Sequence, residues 1–237
     1  MIDKLYYFIM VPMVYLAFVW CLVGIAAKIV RILRAPQHPT TLQIFPETKR
    51  PLLAAVVDTF TLPTVREHRP LLWFFLMMFH AAIVLLIVAH LDLIPQLSIV
   101  SADSPHMIGH GAVGIALTVS VLYLLFRRFR SPVRELSVPS DYVLLLLLFC
   151  LFLTGDVISW ANSWSQNGFV LSKQDFGTYL SSLVRFTFQD PSEFLSGGHY
   201  TVIAVHVLLA NLFLMILPFS KIMHSFFALP LNALRRA

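Results

Sequence analysis

Five runs of about twenty mostly apolar residues dominate this chain, and each is long enough, as a helix, to cross the ~30 Å hydrocarbon core of a bilayer. They cover about Leu5–Leu33, Leu71–Leu91, Met107–Phe126, Tyr142–Trp160 and Tyr200–Phe219. A helix satisfies its own backbone groups in lipid, and the period-two alternation of a membrane β-barrel is absent. The expectation is an all-α integral membrane protein, a five-transmembrane-helix bundle. Composition agrees: 58% of the residues are hydrophobic and 12% charged, with a mean hydropathy of +0.80, whereas a soluble domain has about 25% charged residues. The first run is longer than the ~7–15 residue core of a signal peptide and lacks a basic leader, so it is read as a retained span. Residues 1–237 form a single membrane domain, with an extended loop over 35–70.

The basic residues set the expected orientation, because Lys and Arg concentrate on the cytoplasmic side. Fourteen of the seventeen Lys and Arg fall in the first connection, the third connection and the C-terminal tail; Lys4, Lys173 and Arg185 fall on the other side. This places the N-terminus outside and the C-terminus in the cytoplasm, in a bacterial or archaeal cytoplasmic membrane. It also accounts for the net charge of +5 without a nucleic-acid partner. Cys21 and Cys150 lie in apolar runs as packing residues, and no CxxC or CxxCH occurs.

The connections differ in character. The segment Ala35–Pro70 is long and proline-rich, with an apolar piece at Leu52–Phe60 suited to the membrane interface. A loop of this length reads as a docking surface for a cytoplasmic subunit, or as an interfacial helix without a partner. On the outer side, Phe176–Phe188 places Phe176, Leu180, Leu183 and Phe186/Phe188 at roughly helical spacing, as in an amphipathic surface helix. Trp160 and Trp164 sit where an interfacial aromatic belt belongs. Pro12 is placed to kink the first span, and Pro218 to bend or end the fifth.

Ionisable residues inside spans are costly and mark function. Four histidines qualify: His80 and His90 in the second run, and His206 and His224 in and just beyond the fifth. Ten residues separate the first two, about 15 Å of helical rise. Eighteen separate the second two, about five turns, so they share a face if the helix runs on through Pro218. The two spans are antiparallel, so His90 can face His206 near the outer side and His80 can face His224 near the inner side. Imidazoles paired at two depths suit the axial ligation of two haem b groups in a bundle core. Tetrahedral zinc is disfavoured, because the histidines form two levels and not one cluster with carboxylates.

Other residues stay open on sequence alone. His106, His110 and His199 gather at the outer ends of the third and fifth spans. They could accept protons from a quinol, replace an assigned ligand, or be structural. Asp103 shares the neighbourhood of His106. Gly109, Gly111 and Gly114 remove bulk at the start of the third span, for a porphyrin or for ordinary helix packing. Arg127, Arg128 and Arg134 stand where propionates of an inner haem could pair, although the positive-inside bias alone accounts for them. His38 and His68 read as solvated. The second functional reading is a non-redox membrane anchor or transporter with structural histidines, although no internal repeat of the transporter kind is visible.

Three stretches carry a family resemblance. The pair Phe79–His80 with His90 ten residues on, the stretch FRRFRSPVRELSVPSDYVLLLLL with Ser131, Pro132 and Arg134, and LPFSKIMHSFFALP together resemble the gamma subunit of respiratory nitrate reductase, a dihaem cytochrome b family. The resemblance runs from about Leu71 to Pro230. It implies His90 and His206 as ligands of an outer haem and His80 and His224 as ligands of an inner one. It also implies oxidation of a quinol (menaquinol or ubiquinol) near the outer side, with electrons passed to a cytoplasmic iron–sulfur subunit. Two departures stand out. The first cytoplasmic loop is longer, and the lysine near the family's quinol site is missing, with Asp103 and His106 in that region. These departures are similar to the branch found in sulfate- and sulfur-metabolising membrane complexes, whose partner is a heterodisulfide-reductase-like iron–sulfur protein. A periplasmic multihaem cytochrome c is the other electron donor considered.

Overall fold

The computed structural model describes residues 2–35, 49–98, 111–164, 173–195 and 200–235. Among them the secondary structure is entirely helical: α1 Ile2–Met10, α2 Pro12–Leu33, α3 Pro51–Thr61, α4 Pro63–His68, α5 Pro70–Asp92, α6 Ala112–Arg128, α7 Pro139–Trp164, α8 Lys173–Val184, α9 Tyr200–Ile216 and α10 His224–Leu234. Among the described residues four stretches are long and apolar enough to cross a membrane: Ile2–Leu33, Pro70–Asp92, Pro139–Trp160 and Tyr200–Phe219. The expected third span corresponds to α6, which is shorter at 17 residues and continues to Arg128. Many large apolar side chains on these helices are exposed, among them Phe18, Leu22, Leu85 and Leu146, as suits helices whose solvent is lipid.

The first span is two helices. Pro12 takes the first position of α2, where its missing N–H costs nothing, and the chain breaks at Val11. The break strands carbonyls at the end of α1. Two side chains answer them: Asn211 of α9 donates to the Ile9 carbonyl at 2.9 Å, and the Tyr179 hydroxyl of α8 donates to the Met10 carbonyl at 2.6 Å. Both donors are buried. Around them a core of Ile9, Met10, Tyr179, Leu195, Ile203 and Ala204 joins α1, α8 and α9.

The outer amphipathic helix ends sooner than expected. It closes at Val184, and Phe186 and Phe188 take left-handed backbone with φ of 56° and 54°. Their rings lie against Tyr15 at centroid distances of 5.3 and 5.1 Å, while the Tyr15 hydroxyl donates to the Leu183 carbonyl. The helical periodicity of Phe176, Leu180 and Leu183 holds; the two later phenylalanines follow tertiary contacts instead. On the opposite side of the sequence map, the Leu52–Phe60 piece is α3, which packs against α10 with Asn232 donating to the Thr59 hydroxyl at 2.9 Å.

The remaining spans pack as a row, α5 on α6, α6 on α7, α7 on α9 and α9 on α2. A second core of Ala82, Leu117, Val121, Leu144, Leu148 and Phe152 fills the space between α5, α6 and α7. Helices α5 and α9 are not close-packed partners, so their facing sides are held apart by the row between them.

Replacing Asn211 by Leu keeps the volume but leaves the Ile9 carbonyl without its donor. A loss of about 1–3 kcal/mol is expected, read as a lower unfolding temperature of the full chain in detergent. Burial, with the phenols of Tyr200 and Tyr15 near, pushes the Tyr179 phenol up. Its contribution to stability is therefore full below the ordinary phenol value of about 10 and fades as pH rises above it.

Candidate functional site

The four histidines share one local chemistry. His80 Nδ1 donates to the Leu76 carbonyl at 2.7 Å, and His90 Nδ1 to the Leu86 carbonyl at 2.9 Å. His224 Nδ1 donates to the Lys221 carbonyl at 2.8 Å. His206 Nδ1 meets the Thr154 hydroxyl at 3.0 Å, and that hydroxyl spends its own proton on the carbonyls of Cys150 and Leu151. A carbonyl can only accept. The rings of His80, His90 and His224 therefore carry their proton on Nδ1 and present Nε2 as a bare donor atom, the arrangement that orients a metal-binding imidazole. His68 bonds the Thr64 carbonyl in the same way, so the pattern alone does not define a site. Pairing is what separates the four from His68.

The inner pair meets directly. The rings of His80 and His224 stand 6.0 Å apart, centre to centre, with their planes at 80°. His80 and His224 would hold a haem iron between them through their ring nitrogens, and the donor set and ring spacing suit that group. Phe79 lies edge-on to His80 at 5.5 Å and contacts Phe152 at 6.3 Å, which ties the site to the core. His90 lies within electrostatic range of the His206 ring. Among the described residues no group of three or more His, Cys, Asp or Glu side chains converges; the donors come in pairs.

The fifth span does not run on to His224. Helix α9 ends at Ile216, a 3-10 turn covers Leu217–Phe219, Ser220 is extended, and His224 is the first residue of α10. Pro218 lacks the N–H the helix would need. Pro218 ends the span, as its position suggests, so the unbroken helix on which a shared face depends is not formed; His224 stands beside His80 from the start of α10. A stripe on α2 secures the break. Trp20 Nε1 donates to the Met215 carbonyl at 3.2 Å, and Lys28 Nζ to the Pro218 carbonyl at 3.4 Å. Between them, a Cβ on Gly24 would come within 2.7 Å of the Pro218 ring.

Asp141 then fixes the segment that carries His224. It is 3% exposed and takes Lys221 Nζ at 2.7 Å and Arg128 Nη1 at 2.9 Å on one oxygen. The Val138 N–H meets the same oxygen at 3.3 Å, and Arg128 also donates to the Ser137 hydroxyl at 3.1 Å. The carbonyl of Lys221 is the one that orients His224. One carboxylate thus links α6, α7 and the inner histidine. The sequence reading passed over it because Asp141 stands at the edge of an apolar run and resembles an ordinary helix-start carboxylate.

A second omission is the triplet Thr154-Gly155-Asp156 inside α7. Thr154 orients His206, and Gly155 leaves room for it: a Cβ there would stand 3.3 Å from His206 Cε1. Asp156 accepts from the Thr118 hydroxyl at 2.7 Å, in space that a side chain on Gly114 would fill. Three polar or small residues within an apolar span were the available signal. Gly111 likewise makes room, for the Trp160 indole. Asp103, His106, His110 and His199 lie outside the described residues.

The architecture is that of a multi-pass helical membrane protein with histidines paired between its spans. The chain belongs to the nitrate reductase gamma subunit family, whose model matches residues 64–237. It is also similar to the Hdr-like menaquinol oxidoreductase cytochrome b-like subunit of Archaeoglobus fulgidus, 29% identical over 167 residues, or 65% of this chain and 47% of that protein. The chain thus spans about half the length of that relative.

Changing Asp141 to Ala leaves Arg128 without its carboxylate and releases Lys221. A destabilisation of about 2–4 kcal/mol is expected, less than for a fully buried pair because Lys221 is solvated. Thermal unfolding of the full chain in detergent measures it, and an unchanged midpoint would contradict the structural role given to Asp141.

Proposed function

We propose that this chain is the membrane cytochrome b subunit of a quinol-oxidising complex, with sites for two b-type haems. His90 and His206 hold the outer one, and His80 and His224 the inner one. The observation that carries the reading is the His80–His224 pair, two imidazoles 6.0 Å apart, each with Nδ1 engaged and Nε2 bare. The family assignment and the archaeal relative support the same reading. When bound, a haem b supplies a one-electron iron couple.

The protein's part is to hold and shield. Carbonyls of Leu76, Leu86 and Lys221 and the hydroxyl of Thr154 fix the four rings. The row of α6 and α7 keeps α5 and α9 at the separation the pairs require. Apolar contacts of Phe79 and Phe152 limit water near the inner pair. In this reading five helices cross the membrane, with the N-terminus outside and the C-terminus in the cytoplasm, as the basic residues suggest. Asp103 and His106 accept protons from a quinol, either menaquinol or ubiquinol, at the outer face; a periplasmic multihaem cytochrome c is the competing donor. The cytoplasmic segment 35–70, with α3, docks an iron–sulfur subunit of the heterodisulfide-reductase-like class. The name of the archaeal relative is what supports that partner.

The test is a reduced-minus-oxidised spectrum and a haem count on full-length protein from haem-supplied cells. About two b-type haems per chain are expected, and the lack of a b-type band would reject the proposal. His80→Ala and His206→Ala should each remove one haem. Gly155→Val should remove the outer haem selectively, since it presses on His206 and on neither inner ligand.

A further inference from the structure

A separate feature lies at the other end of the α5–α6 contact, where the positive charges do not all find partners. Arg128 points to Asp141. Its neighbour Arg127 instead lines a cavity of about 300 Å³ together with Arg69, Arg130, Tyr123 and Ser131. Among the described residues no carboxylate is ion-paired with Arg69, Arg127 or Arg130. Glu135 is near in sequence, but it accepts from the Ser131 hydroxyl at 2.7 Å. Arg127 is half-buried and lies within electrostatic range of both Arg69 and Arg128. A positive-inside bias explains why the residues are basic. It does not explain why three of them converge on one cavity with no ion-paired carboxylate among the described residues.

The cavity's position specifies its ligand. Arg69 directly precedes α5, and Arg127 and Arg130 bracket the end of α6, so the arginines sit where these helices leave the hydrocarbon. Beside them the exposed side chains are apolar: Leu71, Phe74, Phe126 and Phe129. The Phe75 and Tyr123 rings stack at 4.0 Å and brace the two helices beneath the cavity. A cationic cleft bordered by exposed apolar side chains suits a ligand with an anionic head and hydrocarbon tails. Planar guanidinium groups pair well with phosphate oxygens.

We propose that this cavity binds the phosphate-bearing headgroup of an anionic membrane phospholipid, with Arg69, Arg127 and Arg130 as its cationic contacts. The site is independent of the histidine pairs and stands whether or not the chain carries haem.

The test uses the full chain in detergent. Co-purifying phospholipid is extracted and identified by mass spectrometry, for wild type, for Arg130→Gln and for the triple variant Arg69→Gln, Arg127→Gln, Arg130→Gln. Wild type should retain an anionic phospholipid, with each lost charge weakening retention roughly fivefold. Unfolding temperature is then followed on adding phosphatidylglycerol, phosphatidylcholine or inorganic phosphate. A rise with phosphatidylglycerol alone, lost in the variants, supports the proposal. Equal rises with the two lipids, or equal lipid retention by all three proteins, overturn it. A rise with inorganic phosphate alone assigns a free-anion site instead. Loss of haem from Arg130→Gln, with lipid retention unchanged, would mean that the arginines serve propionates and not a lipid. Arg130 is exposed, so the single variant keeps the test decisive if the triple variant does not fold.

Discussion

In hydrocarbon a broken helix survives only if other groups take over its stranded carbonyls. Among the described residues the apolar spans break in two places, at Val11 and at Pro218, and the structure depends on how both are repaired. At Val11 the repair comes from Asn211 and Tyr179, which draw α9 and α8 against the first span. At Pro218 it comes from Trp20 and Lys28, on the same face of α2 as Gly24. The first and last spans thus answer each other's breaks, α9 serving α1 and α2 serving the end of α9. The second repair lies next to the candidate site, because the segment beyond Pro218 carries His224, whose ring stands 6.0 Å from that of His80.

The candidate site is built by the same economy of polar groups. His80, His90 and His224 settle their Nδ1 protons on acceptors supplied locally, and this fixes which nitrogen is available. His68 shows that the hydrogen bond is a common habit of helical histidine; only the opposition of two such rings makes a site of it. The inner pair has a further anchor in Asp141, whose two cationic partners come from α6 and from the segment before α10. The arginine cavity is the counterpart: there the charges converge, and no described carboxylate is ion-paired with them.

Much of this was legible in the residues. The apolar runs gave the spans, the histidines stood out as polar groups in apolar surroundings, and their depth along two antiparallel helices suggested the inner and outer pairs. Other features were hidden for physical reasons. Asp141 looks like a solvated helix-start residue until Lys221, eighty positions away, is seen beside it. Thr154 and Gly155 stand out only as small or polar residues in an apolar span, and their meaning lies in the ring of His206 on another helix. Phe186 and Phe188 followed the helical period but left it, because Tyr15 offered better contacts than another turn of helix.

By itself, then, the sequence determined the membrane class, the helical content, four of the apolar spans and the histidines that merit attention, since lipid imposes local rules that length and polarity reveal. It did not determine how the chain runs on from Pro218 to set His224 beside His80, or that Arg128 meets Asp141 while Arg127 lines a cavity. Those outcomes depend on which carbonyls and charges meet across helices far apart in sequence, and only tertiary packing decides that.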